Sequence, residues 1–254
     1  MKVFIINLER SKDRKEHMRN EINKLFAYNP ELKEKLEFIF SKAVDAKNND
    51  HLEFKEHFPW WASWVMGREL SDGEKACFAS HYKLWQECIR LNEPIIILED
   101  DVYFSEEFLN DSQNIVEKLL NAEYECIRFC YITKTKMTSL KDNFSFTIQS
   151  IGGAQGYFLK PSAALKLTTC LRFWFKPVDN LIDMYYHSRV FTIVYTPSLI
   201  KFTNIPTTII ERDRKICVFK KIIREVCRLY FIFLKISYKK KINKIIKYKS
   251  IFNC

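Results

Sequence analysis

Apolar and polar positions change period several times along the chain, and each change marks an element. Val3-Phe4-Ile5-Ile6 is an unbroken apolar run that predicts a buried strand over Lys2–Asn7. Ser11 then stands where a cap opens a helix to about Phe26, with Ile22, Leu25 and Phe26 on its apolar side. Residues 36–43 read as a second strand that ends at Val44-Asp45, and residues 48–68 are aromatic and irregular. A helix is expected from Ser71 to about Asn92. Pro94 precedes a strand over 95–98 that stops abruptly at Glu99-Asp100-Asp101. A helix over 105–120 follows, then strands over 124–130, 144–149 and 154–159, helices over 161–171 and 179–188, and a strand over 190–195.

Strand–helix alternation in the first half predicts a parallel sheet with helices on both faces. Ligands of such sheets bind at the carboxyl edge of the strands. Three predicted strand ends are polar there: Asn7, Asp45 and Glu99-Asp100-Asp101. They outline one site.

The acidic triplet carries the sharpest chemical signal. Four apolar residues bury the strand before it, and unpaired carboxylates at its end would repel one another and lose solvation. A divalent cation relieves both, and oxygen ligands suit Mg²⁺ or Mn²⁺. Glu99 and Asp101 lie on one side of the extended chain. A solvated acidic turn is the structural alternative. Ser71 and Glu74 have capping-box spacing, which is a structural reason for both. His81 shares a helical stripe with Cys77, Leu84, Trp85 and Cys88, as a core histidine would. Gly152-Gly153-Ala154-Gln155-Gly156-Tyr157 lacks dinucleotide-fingerprint spacing and permits either a bend or close backbone approach to a ligand. Asp179 follows Pro177-Val178 and could be a helix cap, and Asp183, four residues on, would share its helical face.

Composition narrows the classes. The 254 residues are 47% hydrophobic and 28% charged, which suits a globular chain with few linkers. Eight cysteines without a Cys-x-x-Cys pair, and an opening apolar run too short for a signal segment, predict reduced thiols in a cytoplasmic protein. Net charge is +10, yet residues 215–254 hold 12 basic residues against Glu225 alone, leaving 29 basic and 30 acidic residues elsewhere. A near-neutral body, 1–214, with a basic tail, 215–254, calls for an acidic partner. The tail predicts an amphipathic helix in which Lys220, Arg224 and Arg228 align opposite Phe219, Ile222, Ile223, Val226 and Tyr230. Its interruption by charge excludes a bilayer span. Tyr230, Phe231 and Phe233 sit in the apolar run 229–234 instead of interleaving with the basic residues as stacking platforms would, so an anionic membrane surface is expected rather than nucleic acid, with packing of residues 219–230 on the body as the structural alternative.

In order along residues 1–200, these segments resemble glycosyltransferase family 25, the lipooligosaccharide-biosynthesis glycosyltransferases. The opening Val3-Phe4-Ile5-Ile6-Asn7-Leu8-Glu9-Arg10-Ser11-Lys12-Asp13-Arg14 is similar to the family's first strand and Arg-containing turn. Ala43-Val44-Asp45-Ala46 resembles its second turn, where a glycine is usual in place of Ala46. Residues 70–85 resemble its Ser-x-Gly-Glu…Ser-His block, and 98–101 its acidic metal motif. Gly153 to Leu159 and Pro177-Val178-Asp179 resemble the acceptor-side blocks. The resemblance implies an α/β, GT-A-like nucleotide-sugar-binding sandwich and an inverting transfer of a hexose, with UDP-galactose favoured as donor. The acceptor would be a lipid-linked lipooligosaccharide or lipopolysaccharide at the inner face of the cytoplasmic membrane. It implies Glu99, Asp100 and Asp101 as ligands of Mn²⁺ or Mg²⁺, and Asn7, Arg10, Arg14, Asp45, Glu74, Ser80 and His81 around the donor. Asp179 is then expected as the general base, with Asp183 second. The competing class is a non-catalytic sugar- or lipid-binding module on a degenerate transferase fold.

Overall fold

A computed structural model describes residues 1–202 and 218–252, and in the second stretch the side chains of 219–239. The chain runs through β1 (Lys2–Asn7), α1 (Lys12–Tyr28), α2 (Leu32–Lys35) and β2 (Glu37–Lys42). Two 3-10 segments, Ala46–Asn48 and Asp50–His57, lead to α3 (Ala62–Met66) and α4 (Asp72–Leu91). Then come β3 (Ile95–Glu99), β4 (Val102–Phe104), α5 (Glu106–Asn121), β5 (Cys126–Arg128), β6 (Thr138–Ser139), β7 (Phe144–Thr147) and β8 (Gly156–Leu159). The chain continues with α6 (Pro161–Cys170), α7 (Val178–Ile182), α8 (Tyr185–Ser188), β9 (Thr192–Tyr195), β10 (Ile200–Phe202) and α9 (Val218–Phe252).

Period-2 alternation along the central strands feeds two cores. Phe4, Ile95, Ile97, Tyr157 and Leu159 pack with α4 and α6 on one face. Val3, Ile5, Ile96, Leu98 and Phe158 pack with α1 and α5 on the other. The sheet order is β2-β1-β3-β8-β5-β9-β7-β6. β1 runs parallel to both β2 and β3, as the strand–helix alternation predicts. From β8 onward the sheet is mixed: β8 is antiparallel to β3 and β5, and β7 to β9. β4 and β10 form a separate antiparallel pair.

Three expectations are corrected. Ser11 makes no side-chain cap at α1. The helix expected over 179–188 is two short helices, because Met184 leaves helical geometry (φ −80°, ψ 62°) and Asp183 is drawn towards a neighbouring loop. The region 48–68 is less irregular than expected, since it holds the second 3-10 segment and α3. The six cysteines at 77, 88, 126, 130, 170 and 227 are free thiols. The expected boundary at 214/215 lies outside the described residues.

Candidate active site

The carboxyl ends of β1 and β3 meet the N-terminal half of α4, and a cleft opens between them. Arg10, Arg14, Cys77, Ser80, His81 and the whole acidic triplet line it. Alternation sorts the triplet. Glu99 continues the Ile95/Ile97 side and so faces α4, where its Oε1 lies 3.2 Å from His81 Nε2. Asp100 takes the Leu98 side and faces α1. Its Oδ1 accepts from Arg14 at 3.0 Å and its Oδ2 from Asn7 Nδ2 at 2.6 Å. Asn7, in phase with Val3 and Ile5, points to that same side. Both oxygens of Asp100 are therefore engaged in a buried clasp that ties β3 to β1 and α1. Burial raises this carboxyl above its usual value even though Asn7 and Arg14 oppose the shift.

Asp101 is the exception within the triplet. Its Oδ2 is 3.7 Å from Arg14, and its Oδ1 is buried with no hydrogen-bond partner among the described residues. Burial first, and then the charge of Glu99, push its pKa up to about 6, with Arg14 working against them. An orphaned buried carboxylate oxygen next to a second carboxylate is the donor chemistry that a hard divalent cation takes. Single ligand atoms of Cys77, His81 and Glu99 also lie within 4.8 Å of one another. That set fits a metal less well. Its sulfur is a soft donor, whereas Mn²⁺ and Mg²⁺ take oxygen; burial, and then the charges of Glu99, Asp179, Asp101 and Glu74, hold the Cys77 thiol well above its ordinary pKa.

His81 belongs to a buried chain of donors. Trp85 Nε1 donates to the Tyr157 hydroxyl at 2.8 Å, and that hydroxyl lies 2.9 Å from His81 Nδ1. Indole nitrogen can only donate and carboxylate can only accept. The arrangement that pairs every proton has Tyr157 donating to Nδ1 and His81 Nε2–H donating to Glu99. The chain fixes the tautomer and aims Glu99. Tyr157 and Trp85 were not among the expected site residues, although Trp85 shares the α4 stripe with His81 and Tyr157 lies in the glycine-rich block 152–157.

The remaining candidates divide. Arg10 pairs with Asp45, whose Oδ1 also accepts the amide of Lys47 at 2.8 Å. Ser80 Oγ accepts from the Val44 amide at 2.9 Å and donates to Ala76 O at 2.8 Å, so it joins α4 to the end of β2. Glu74 completes the capping box with Ser71, its Oε2 accepting the Ser71 amide at 2.7 Å, and takes a two-pronged pair from Arg68, both prongs at 2.7 Å. Those bonds hold its carboxyl below the usual range although burial pushes it up. Glu74 is thereby a cap rather than a lining residue of the cleft.

Asp183 is corrected as a candidate base. It is buried in an ion pair with Arg128 (3.3 Å), and its Oδ2 accepts from Ser150 Oγ and from the amides of Ile151 and Gly152 at 2.8–2.9 Å. Its side chain is 1% exposed, so the carboxylate stands out of reach of an acceptor hydroxyl. Arg128, itself 1% exposed, also donates to Gly152 O at 3.0 Å. Gly152 and Gly153 both adopt positive φ (66° and 71°), which lets consecutive amides turn towards Asp183 and Asp179. Asp179 is half-buried. Its Oδ2 accepts the Gly153 amide at 3.1 Å, and among the described residues its Oδ1 is met only by the neighbouring Asn180.

The family model for glycosyltransferase family 25 (LPS biosynthesis protein) matches residues 1–182. Human procollagen galactosyltransferase 2 is 31% identical over 137 residues, 53% of this chain but 21% of its own length. The lipooligosaccharide biosynthesis protein lic2B of Haemophilus influenzae is 27% identical over 177 residues, 65% of this chain and 61% of that protein. The chain thus spans less than two thirds of either relative. A solved glycosyltransferase involved in glycosylation of the major capsid of PBCV-1 superposes with a TM-score of 0.46 at 10% identity, over 90% of this chain and 98% of that one.

Proposed function

The chain belongs to glycosyltransferase family 25, and from that premise we propose that it is an inverting, metal-dependent hexosyltransferase of GT-A-like fold. Its donor would be a nucleotide sugar, UDP-galactose by preference, and its acceptor a lipooligosaccharide or lipopolysaccharide. The observation that carries the reading is the buried, unpartnered Asp101 Oδ1 beside Glu99 in the cleft at the end of β3.

Asp101 and Glu99 would hold Mn²⁺ or Mg²⁺, which supplies electrophilic stabilisation of the departing nucleoside diphosphate. The Trp85–Tyr157–His81 chain keeps Glu99 in place for that task. Arg14, locked on Asp100, brings positive charge to the same cleft, and Arg10 adds a half-exposed cation that a diphosphate can draw from Asp45. Asp179 takes the proton of the attacking acceptor hydroxyl, and its Gly153 contact orients the carboxylate. Inversion requires that base on the face of the sugar opposite the leaving group, as single displacement does in inverting glycosidases.

The test is nucleotide release from a panel of nucleotide sugars, with and without an acceptor glycan. Release is expected with Mn²⁺ or Mg²⁺, strongest from UDP-galactose, and excess EDTA is expected to abolish it reversibly. Full activity in EDTA would remove the cation from the mechanism. No release from any donor would favour a binding module.

A further inference from the structure

α9 packs on the body with the side that carries its first basic residues. Lys220 Nζ lies 3.2 Å from Ser63 Oγ and 5.6 Å from the centre of the Trp64 ring. The Arg224 stem crosses Gly67, close enough that a Cβ there would meet its Cδ at 3.0 Å. Further along, Phe231 stacks on Phe175 with ring centres 5.6 Å apart, and Tyr238 meets Tyr185 edge-on. This reverses part of the expectation for the tail, in which Lys220 and Arg224 headed the solvated side.

The outward side is apolar. Phe219, Ile222, Val226, Leu229, Phe233 and Ile236 recur at spacings of three and four residues, and each is 50–66% exposed. The stripe runs on into the body: Phe219 meets Trp64 edge-on at 5.8 Å, and Trp64 meets Trp60 at 6.5 Å. Trp60 is 79% exposed. A water-soluble surface rarely shows so continuous an apolar strip without a partner.

Charge selects the partner. Residues 215–254 carry 12 basic residues and one acid. That acid, Glu225, is held by Arg224 and Arg228 of its own helix, both at 2.9 Å. The stripe has the spacing of a coiled-coil seam, but two copies would bring two strongly positive helices together with no acid left to pair them. An anionic lipid surface accepts both features, taking apolar side chains into its interface and basic ones among its headgroups, and an exposed tryptophan suits that depth. No helix among the described residues is long and apolar enough to cross a membrane.

We propose that the outward face of α9, continued by Trp60 and Trp64, docks the protein in the plane of an anionic lipid surface. The docking uses none of the cleft residues, so it stands or falls separately from the sugar chemistry.

The experiment is sedimentation of the full chain with phosphatidylcholine vesicles containing or lacking phosphatidylglycerol, at low and high salt. The same assay is run on the Val226→Asn/Leu229→Asn/Phe233→Asn variant, whose substitutions sit at exposed positions and leave the packed side of α9 intact. The full chain is expected to bind the phosphatidylglycerol vesicles, and more weakly at high salt. The variant, with an unchanged circular dichroism spectrum, is expected to lose about tenfold or more in partitioning. No binding by the full chain overturns the proposal, as does equal binding by the variant. A dimer in solution that the triple substitution dissociates would assign the face to a second copy and overturn it equally. A variant that fails to fold is replaced by Trp60→Ser/Leu229→Asn, read in the same way.

Discussion

Two groups of acids serve this molecule, Glu99-Asp100-Asp101 at the end of β3 and Asp179 with Asp183 around α7, and both divide in the same manner. In each group one carboxylate is consumed by the fold. Asp100 is clasped by Arg14 and Asn7, and Asp183 by Arg128, Ser150 and two loop amides. In each group another keeps an oxygen that the described residues do not fully satisfy: among them Asp101 Oδ1 has no partner, and Asp179 Oδ1 has only its neighbour Asn180. Residue type and spacing are alike within each group. What separates the members is the supply of cations and N–H groups on the side each one faces. Replacing a clasped acid should therefore damage stability, and replacing an open one should damage turnover alone.

The largest effect is expected at an open acid. Asp179→Asn preserves shape and removes proton acceptance, so kcat should fall about 10²–10⁴-fold with donor affinity and thermal midpoint little changed. Steady-state kinetics beside a melting curve would show it. If the variant turned over normally, Asp179 would join the structural acids and the comparison would break at that point.

Asp183→Asn is expected to fail in the opposite way. Arg128 is almost wholly buried, and removing its counter-charge leaves a cation stranded in the core. Breaking such a pair costs about 3–5 kcal/mol. Denaturant unfolding should show a loss of that order, with any folded fraction still able to bind donor. A stable protein with reduced kcat would instead return Asp183 to the chemistry.

The division between open and clasped acids could be read from sequence only on one side of the sheet. Asn7 and the triplet were legible as one cluster because β1 and β3 are strong apolar runs in a parallel arrangement, which brings their ends together, whereas Arg14 joined them only through the family resemblance. The same periodicity sorted Glu99 from Asp100. The later half resisted reading. β5 has three residues, all buried, and β6 only two exposed ones, so their pairing is decided by long-range contacts rather than local pattern. The partners of Asp183 lie 31 to 55 residues away in sequence, and nothing local distinguishes it from Asp179. The tail showed its amphipathic period plainly. Which side faced the body depended on Ser63, Gly67 and Phe175, which no helical projection contains.

The smallest effect concerns the link that holds an open acid in position. Tyr157 is fully buried, and its hydroxyl joins Trp85 to His81 and through it to Glu99. Tyr157→Phe keeps the ring and its packing but strands the indole N–H and the imidazole Nδ1. Leaving buried polar groups unpaired costs about 1–3 kcal/mol. A purely structural role would end there, as a lowered midpoint of unfolding. A positioning role predicts more. Without the Tyr157 donor the Nε2–H tautomer loses its preference, Glu99 is aimed less well, and the Mn²⁺ concentration needed for half-maximal activity should rise while kcat at saturating metal changes little. Tyr157→Phe therefore separates two readings of one hydrogen-bond chain: a midpoint loss with an unchanged Mn²⁺ requirement confines the chain to the core, and a raised Mn²⁺ requirement extends it into the site.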